Sequence, residues 1–246
     1  MDEVTVWNKI LKVAMDLPFV KVDRTAFLKK ELVLYCKPEE LEMVVSASPI
    51  HFVDKKTINK IANGCINYHL TTVTATSALA GVPGGWWMAG TIPTDIAQFY
   101  GHALCLSQKL MYLYGWPDLT NENGNLDDET AQILTLFAGV MMGEAMANQA
   151  LIAIEKELSK QVLKRLPRMA LTKYGLYSVI KQVGKWLGIK VTKERVADIA
   201  SKAVPIIGAP ISGAMTYWTF KPMAKRLKKH LEESWELRKD TNIENF

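Results

Sequence analysis

Apolar residues recur at spacings of three and four along most of this chain, the period of helices that turn one face to a core. Val4, Trp7, Ile10, Leu11 and Ala14 mark a first helix over residues 2–15, which Leu17-Pro18 ends. Asp23 is placed to cap a second, running through Phe27, Leu28 and Leu32 to Cys36. Pro38-Glu39-Glu40 supplies proline and two acids for the first turn of a third, reaching about residue 46. Asp54 opens a fourth through Ile58, Ile61, Ala62 and Cys65. The Thr- and Val-rich stretch Leu70 to Ala80 has a local bias toward strand. It is read as helix, because no partner strands are visible.

Pro83-Gly84-Gly85 turns the chain, and Thr94 caps a helix over Asp95 to Tyr114. Ile96, Phe99, Tyr100, Ala103, Leu106, Leu110 and Leu113 form its apolar face. Asp95, Gln98, His102, Cys105, Lys109 and Tyr112 form a second stripe. Gly115-Trp116-Pro117 stops it. One long helix is predicted from Asp127 to Pro167, apolar all round from Ile133 to Met142 and charged from Glu155. A basic amphipathic helix over 169–188 follows. Thr192 is read as the cap of the next element, which Pro205 and Pro210 kink or break. A charged helix over about 221–238 closes the chain. The pattern predicts an all-α multi-helix bundle with Gly- and Ala-rich buried helices and a basic C-terminal half. It is read as one domain: an extension over 1–50, a core over about 55–220 and the charged C-terminal helix.

Residues 61–94 carry no charged side chain and include the pair Trp86-Trp87 beside Pro83-Gly84-Gly85. Uncharged sequence of this length is buried or meets lipid, and tryptophan favours membrane interfaces. Ala203 to Phe220 is a second uncharged run, 18 residues long, with two prolines. These lengths fit surface association or shallow insertion better than a span. Gly139-x-x-x-Gly143 permits close helix packing in membranes and in soluble proteins alike. Charge points the same way. The net is +5, and Glu155 to Arg195 holds eleven Lys or Arg against three Glu. Lys221, Lys225, Arg226, Lys228 and Lys229 form a second basic cluster. Such clusters suit an anionic membrane surface. Three scattered cysteines and an N-terminus without a secretory pattern predict a reducing compartment, the cytoplasm.

Residues 81–116 combine a Gly-rich turn, the Ile92-Pro93-Thr94-Asp95 entry to an apolar helix and a Leu113-Tyr114-Gly115 exit. In these features the chain resembles the EcsC family of bacterial proteins. The flanking helices over about 55–220 fit loosely, and residues 1–50 add nothing. The resemblance implies a helical protein of poorly defined function. Its founding member is encoded with the ATPase and membrane subunits of an ABC transporter, which implies a place beside a membrane complex. It implies no catalytic residues, and Trp86-Trp87 is particular to this chain.

Common chemistry is missing. No phosphate-binding loop, dinucleotide fingerprint or nucleophile elbow occurs. Nucleic acid is disfavoured, since no recognised binding motif accompanies the basic residues. Asp95 and His102, seven apart on one helix face, with His69 and Glu144 on neighbouring helices, are the candidates for catalysis or a metal. The Glu-x-x-His pairs of di-iron bundles are absent, so no cofactor is expected. The leading expectation is a non-enzymatic accessory protein at the cytoplasmic membrane face. Trp86, Trp87 and the cluster from Lys221 to Lys229 would touch anionic lipid or a membrane-protein partner. The alternatives are a metal-dependent or hydrolytic enzyme at the Asp95/His102 stripe and a membrane-perturbing protein.

Overall fold

Three aspartates start helices by the same device: a side-chain oxygen accepts an otherwise orphaned backbone N–H of the first turn. Asp23 accepts from Ala26 at 2.8 Å, Asp54 from Thr57 at 3.0 Å and Asp127 from Thr130 at 3.0 Å. In the computed structural model these helices belong to an all-α bundle, described over residues 3–80, 94–120, 125–158, 176–202 and 208–239. Its helices are α1 (Glu3–Met15), α2 (Arg24–Leu32), α3 (Pro38–Ser46), α4 (Lys55–Ala80) and α5 (Thr94–Leu113). There follow α6 (Asp128–Met142), α7 (Ala145–Leu158), α8 (Leu176–Lys202), α9 (Gly208–Glu233) and α10 (Trp235–Lys239). No strand occurs among the described residues, and Leu70 to Ala80 is helical.

Helix α5 runs through the middle. Tyr100 to Trp116 is buried on every side except at Lys109. His102, Cys105 and Tyr112 of the second stripe are therefore interior. Helix α4 lies antiparallel to α5, since His69 meets His102 while Asn59 accepts from the Tyr114 hydroxyl. Helix α9 packs on α4, α5 and α6, and α1 packs on α5 and α8. The predicted apolar face of α1 is buried, with Trp7 and Ala14 fully enclosed, so residues before 50 contribute to the same core. Ile133 to Met142 is buried within the protein, which decides between core and lipid for that run.

Four boundaries differ from the sequence expectation. The second helix ends at Leu32, short of Cys36. The single helix predicted from Asp127 to Pro167 is two, because Gly143 at φ 90° ends α6 in the left-handed conformation. Its neighbour Gly139 sits where a Cβ would come within 2.6 Å of Ala147 and 2.8 Å of Val183. Gly139 thus packs α6 on α7 and α8 inside one chain, while Gly143 serves as the cap. No helix starts at Thr192, since α8 passes through that position from 176 to 202. The charged helix predicted over 221–238 is the second half of α9, which continues through Pro222 and turns only at Ser234 before α10. Pro222 removes one backbone donor, on the exposed side of the helix where water reaches the freed carbonyl. Pro210 is the third residue of α9, where a missing N–H costs no helical bond.

Candidate functional site

Two places gather the residues singled out by sequence: a polar seam between α4 and α5, and the outer face of α9. The seam is a chain of three side chains. The Lys109 ammonium lies 3.1 Å from His69 Nε2, and His69 Nδ1 lies 3.2 Å from His102 Nδ1. An ammonium only donates, so His69 accepts at Nε2 and carries its proton on Nδ1. That proton is donated to His102 Nδ1, which puts the proton of His102 on Nε2. Phe19 stacks on the His102 ring at 4.6 Å, and Lys109 lies over the rings of Tyr68 and Phe27. Burial, followed by the charge of Lys109, pushes the His69 pKa down to about 3 and lowers that of His102. Burial raises the thiols of Cys105 and Cys65, the latter to about 12. The seam is neutral apart from one half-buried ammonium, and its thiols stay protonated and unreactive.

Of the candidates named from the sequence, the structure brings His69 and His102 together at 3.2 Å. Asp95 stays in the first turn of α5, two turns away from His102 on the same helix. Glu144 sits at the corner between α6 and α7, where its carboxylate accepts from the Met146 N–H at 3.3 Å. No group of three or more His, Cys, Asp or Glu placed to hold a metal occurs among the described residues.

A second buried cluster had no sequence signal except an acid directly after an apolar run. Glu155 on α7 is fully buried, although its position read as the start of a solvated stretch. Its Oε1 accepts from Trp116 Nε1 at 3.3 Å and lies 3.5 Å from His230 Nε2. His230 Nδ1 is 2.6 Å from Asn148 Oδ1, so the ring links α9 to α7. The cluster is buried and joins α7, α9 and Trp116, after α5, through polar contacts.

The outer face of α9 is different. Ala214, Trp218, Pro222, Lys225 and Lys229 fall on one stripe, flanked by Met215 and Lys221. Trp218 is 76 % exposed, and Met215 and Tyr217 are exposed beside it. Lys221 lies 4.8 Å from the Tyr217 ring centroid and 2.5 Å from its hydroxyl. Apolar side chains thus occupy the N-terminal half of the stripe and cations the C-terminal half. The predicted basic residues divide by role. Lys228 pairs with Glu232 at 2.7 Å, and Lys229 with Glu233 at 3.6 Å. Arg226 donates to the Met141 carbonyl at 3.2 Å, and Lys190 of α8 to that of Met142 at 2.7 Å. These two cations cap the C-terminus of α6, where carbonyls lack helical partners. Lys190 also lies over the ring of Trp186, which packs against the core, at 4.7 Å. Trp86 and Trp87 lie outside the described residues. No helix among the described residues is long and apolar enough to cross a membrane.

Comparison of the chain with protein-family models, curated proteins and solved structures finds no match.

Proposed function

We propose that this protein works at a membrane surface, as a non-enzymatic accessory protein whose α9 face rests on anionic lipid. The observation that carries this reading is the stripe of Trp218 and Met215 leading into Lys221 and Lys225. A tryptophan left three-quarters exposed beside other apolar side chains gains by entering the headgroup region, and the adjoining ammonium groups meet lipid phosphates. Each lysine near an anionic membrane contributes about 1 kcal/mol. A setting beside a membrane transporter is what the EcsC resemblance read from residues 81–116 implies. Shallow seating, with no spanning helix, is the mode this surface suits.

The test is co-sedimentation with phosphatidylglycerol or phosphatidylcholine vesicles at low and high salt. Binding to the anionic vesicles that weakens with salt is expected. Trp218→Ala combined with Lys221→Glu and Lys225→Glu should weaken it by at least about tenfold. Lys228→Ala, which removes a cation already paired with Glu232, should change it little. A protein that stays in the supernatant with both lipids overturns the reading, as does binding indifferent to the triple variant.

A further inference from the structure

Trp218, Pro222 and Arg226 are spaced four apart on α9, so they stand one above another along the helix. With Thr219 beside them, Met142 at the end of α6 and Lys190 of α8, they line a pocket of about 170 Å³. Sites that enclose a whole drug-sized ligand begin at about 300 Å³. This pocket therefore has room for a head group, with the rest of the molecule left outside.

Its walls carry two cations and, among the described residues, no acid. Lys190 donates to the Met142 carbonyl at 2.7 Å, and Arg226 to the Met141 carbonyl at 3.2 Å. Successive carbonyls thus hold an ammonium and a guanidinium side by side. A helix C-terminus offers about half a negative charge, well short of two positive ones. Neither cation has an ion-pair partner among the described residues. Glu144, the next acid along the chain from Met142, accepts from the Met146 N–H at 3.3 Å instead. Capping α6 takes one N–H from each cation. It leaves their other donors and their charge unbalanced.

We propose that this pocket seats a phosphate monoester, whose oxygens accept from Lys190 and from the planar fork of Arg226. A monoester carries about −1.5 to −2 at neutral pH, whereas a phosphodiester carries a single charge, so two cations without an acid select the monoester. The source of the ligand rests on the membrane reading above. Trp218 is largely exposed at the rim, and a tryptophan seated among lipid headgroups sets the pocket at the depth of their phosphates. The monoester in that setting is the head of a lipid of the phosphatidic acid type, its acyl chains remaining in the bilayer.

Co-sedimentation of the full chain with phosphatidylcholine vesicles that carry phosphatidic acid or phosphatidylglycerol, matched in surface potential, tests it. Matching removes the general attraction exerted through Lys221 and Lys225. Phosphatidic acid should bind about fivefold more tightly. Lys190→Gln with Arg226→Gln should bring that ratio to about one. Because both side chains also cap α6, a second variant keeps them: Thr219→Glu, at an exposed position, sets a carboxylate beside the two cations and should erase the preference as well. Circular dichroism of each variant separates lost binding from lost fold. Titration calorimetry with glycerol 3-phosphate distinguishes the source. Binding of that probe to a parent protein that ignores every vesicle, lost in Thr219→Glu, keeps the pocket, assigns it a soluble monoester and fails the membrane reading alone. Equal sedimentation with the two anionic lipids and no binding of glycerol 3-phosphate overturns the pocket and leaves the membrane reading standing. A preference for phosphatidic acid that survives both variants overturns the pocket too. A protein that binds neither vesicles nor glycerol 3-phosphate overturns both.

Discussion

Arg24, at the start of α2, ties the end of α3 to the segment after α5. It is buried, and its guanidinium donates to the carbonyls of Val45 at 2.6 Å and Trp116 at 3.2 Å, with Ala47 at 3.5 Å. Burial lowers its pKa from the usual 12.5, but a guanidinium still keeps its proton in the physiological range. Arg24→Met fills similar volume and removes every one of these donors. The carbonyls it serves are then buried without partners, a cost of about 2–4 kcal/mol. Urea denaturation followed by circular dichroism checks this, and a variant within about 0.5 kcal/mol of the parent would show the carbonyls find water instead. Nothing in the sequence marks Arg24. Its partners are carbonyls at the C-terminal end of α3 and just after α5, distant in sequence, and periodicity records only which side chains face a core. Trp7 and Asp23 were legible for the opposite reason, since an apolar repeat and a cap act within one element.

At the scale of the element, the corner between α6 and α7 shows where pattern reading fails. Apolar residues continue from Ile133 past Met142 and resume at Ala145, so spacing alone predicts one helix. One glycine in the left-handed conformation overrides it, and the turn is closed by the Glu144 N–H donating to the Gly139 carbonyl at 2.8 Å. The Gly139-x-x-x-Gly143 spacing was legible, but its partner was not: it meets helices of its own chain. Gly139→Ala would set a methyl group against the Ala147 Cβ and Val183, forcing α7 and α8 outward at a cost of about 1–3 kcal/mol. Gly143→Ala introduces no close contact, the nearest atoms being those of Arg226 at 3.8 Å, and strains only the backbone, by about 1 kcal/mol. Chemical denaturation of the two variants checks the order. A larger loss at Gly143 would place the strain in the turn and not in the helix crossing. The α9 boundary was missed for a related reason. A change from apolar to charged sequence was read as a new helix over about 221–238, yet α9 runs on through Pro222, which sits on the exposed face.

Over the whole molecule, the seam between α4 and α5 ties stability to pH. The sequence places His69 and His102 on neighbouring helices, but only the antiparallel register, with Asn59 opposite Tyr114, brings the rings together. Several groups face the pair. Lys109 contributes a positive charge, and Cys65 and Cys105 are held protonated by burial. In the unfolded chain both histidines take up protons near pH 6.5. In the folded chain burial and Lys109 hold both below that, His69 down to about 3. Between those limits the unfolded state binds more protons. Stability from the pair is therefore fully present above about pH 6.5 and drains as pH falls, by about 1.4 kcal/mol per pH unit for each proton of difference. The urea midpoint should drop between pH 7 and pH 5, ahead of most carboxylate titration. His69→Gln with His102→Gln should start less stable at pH 7, having lost the Lys109 acceptor, yet decline less steeply with acid. The slope separates the two effects: a merely structural loss lowers the whole curve, whereas removing the titrating groups flattens it. A double variant that keeps the parent slope would place the acid sensitivity elsewhere in the bundle and contradict a seam held neutral by burial.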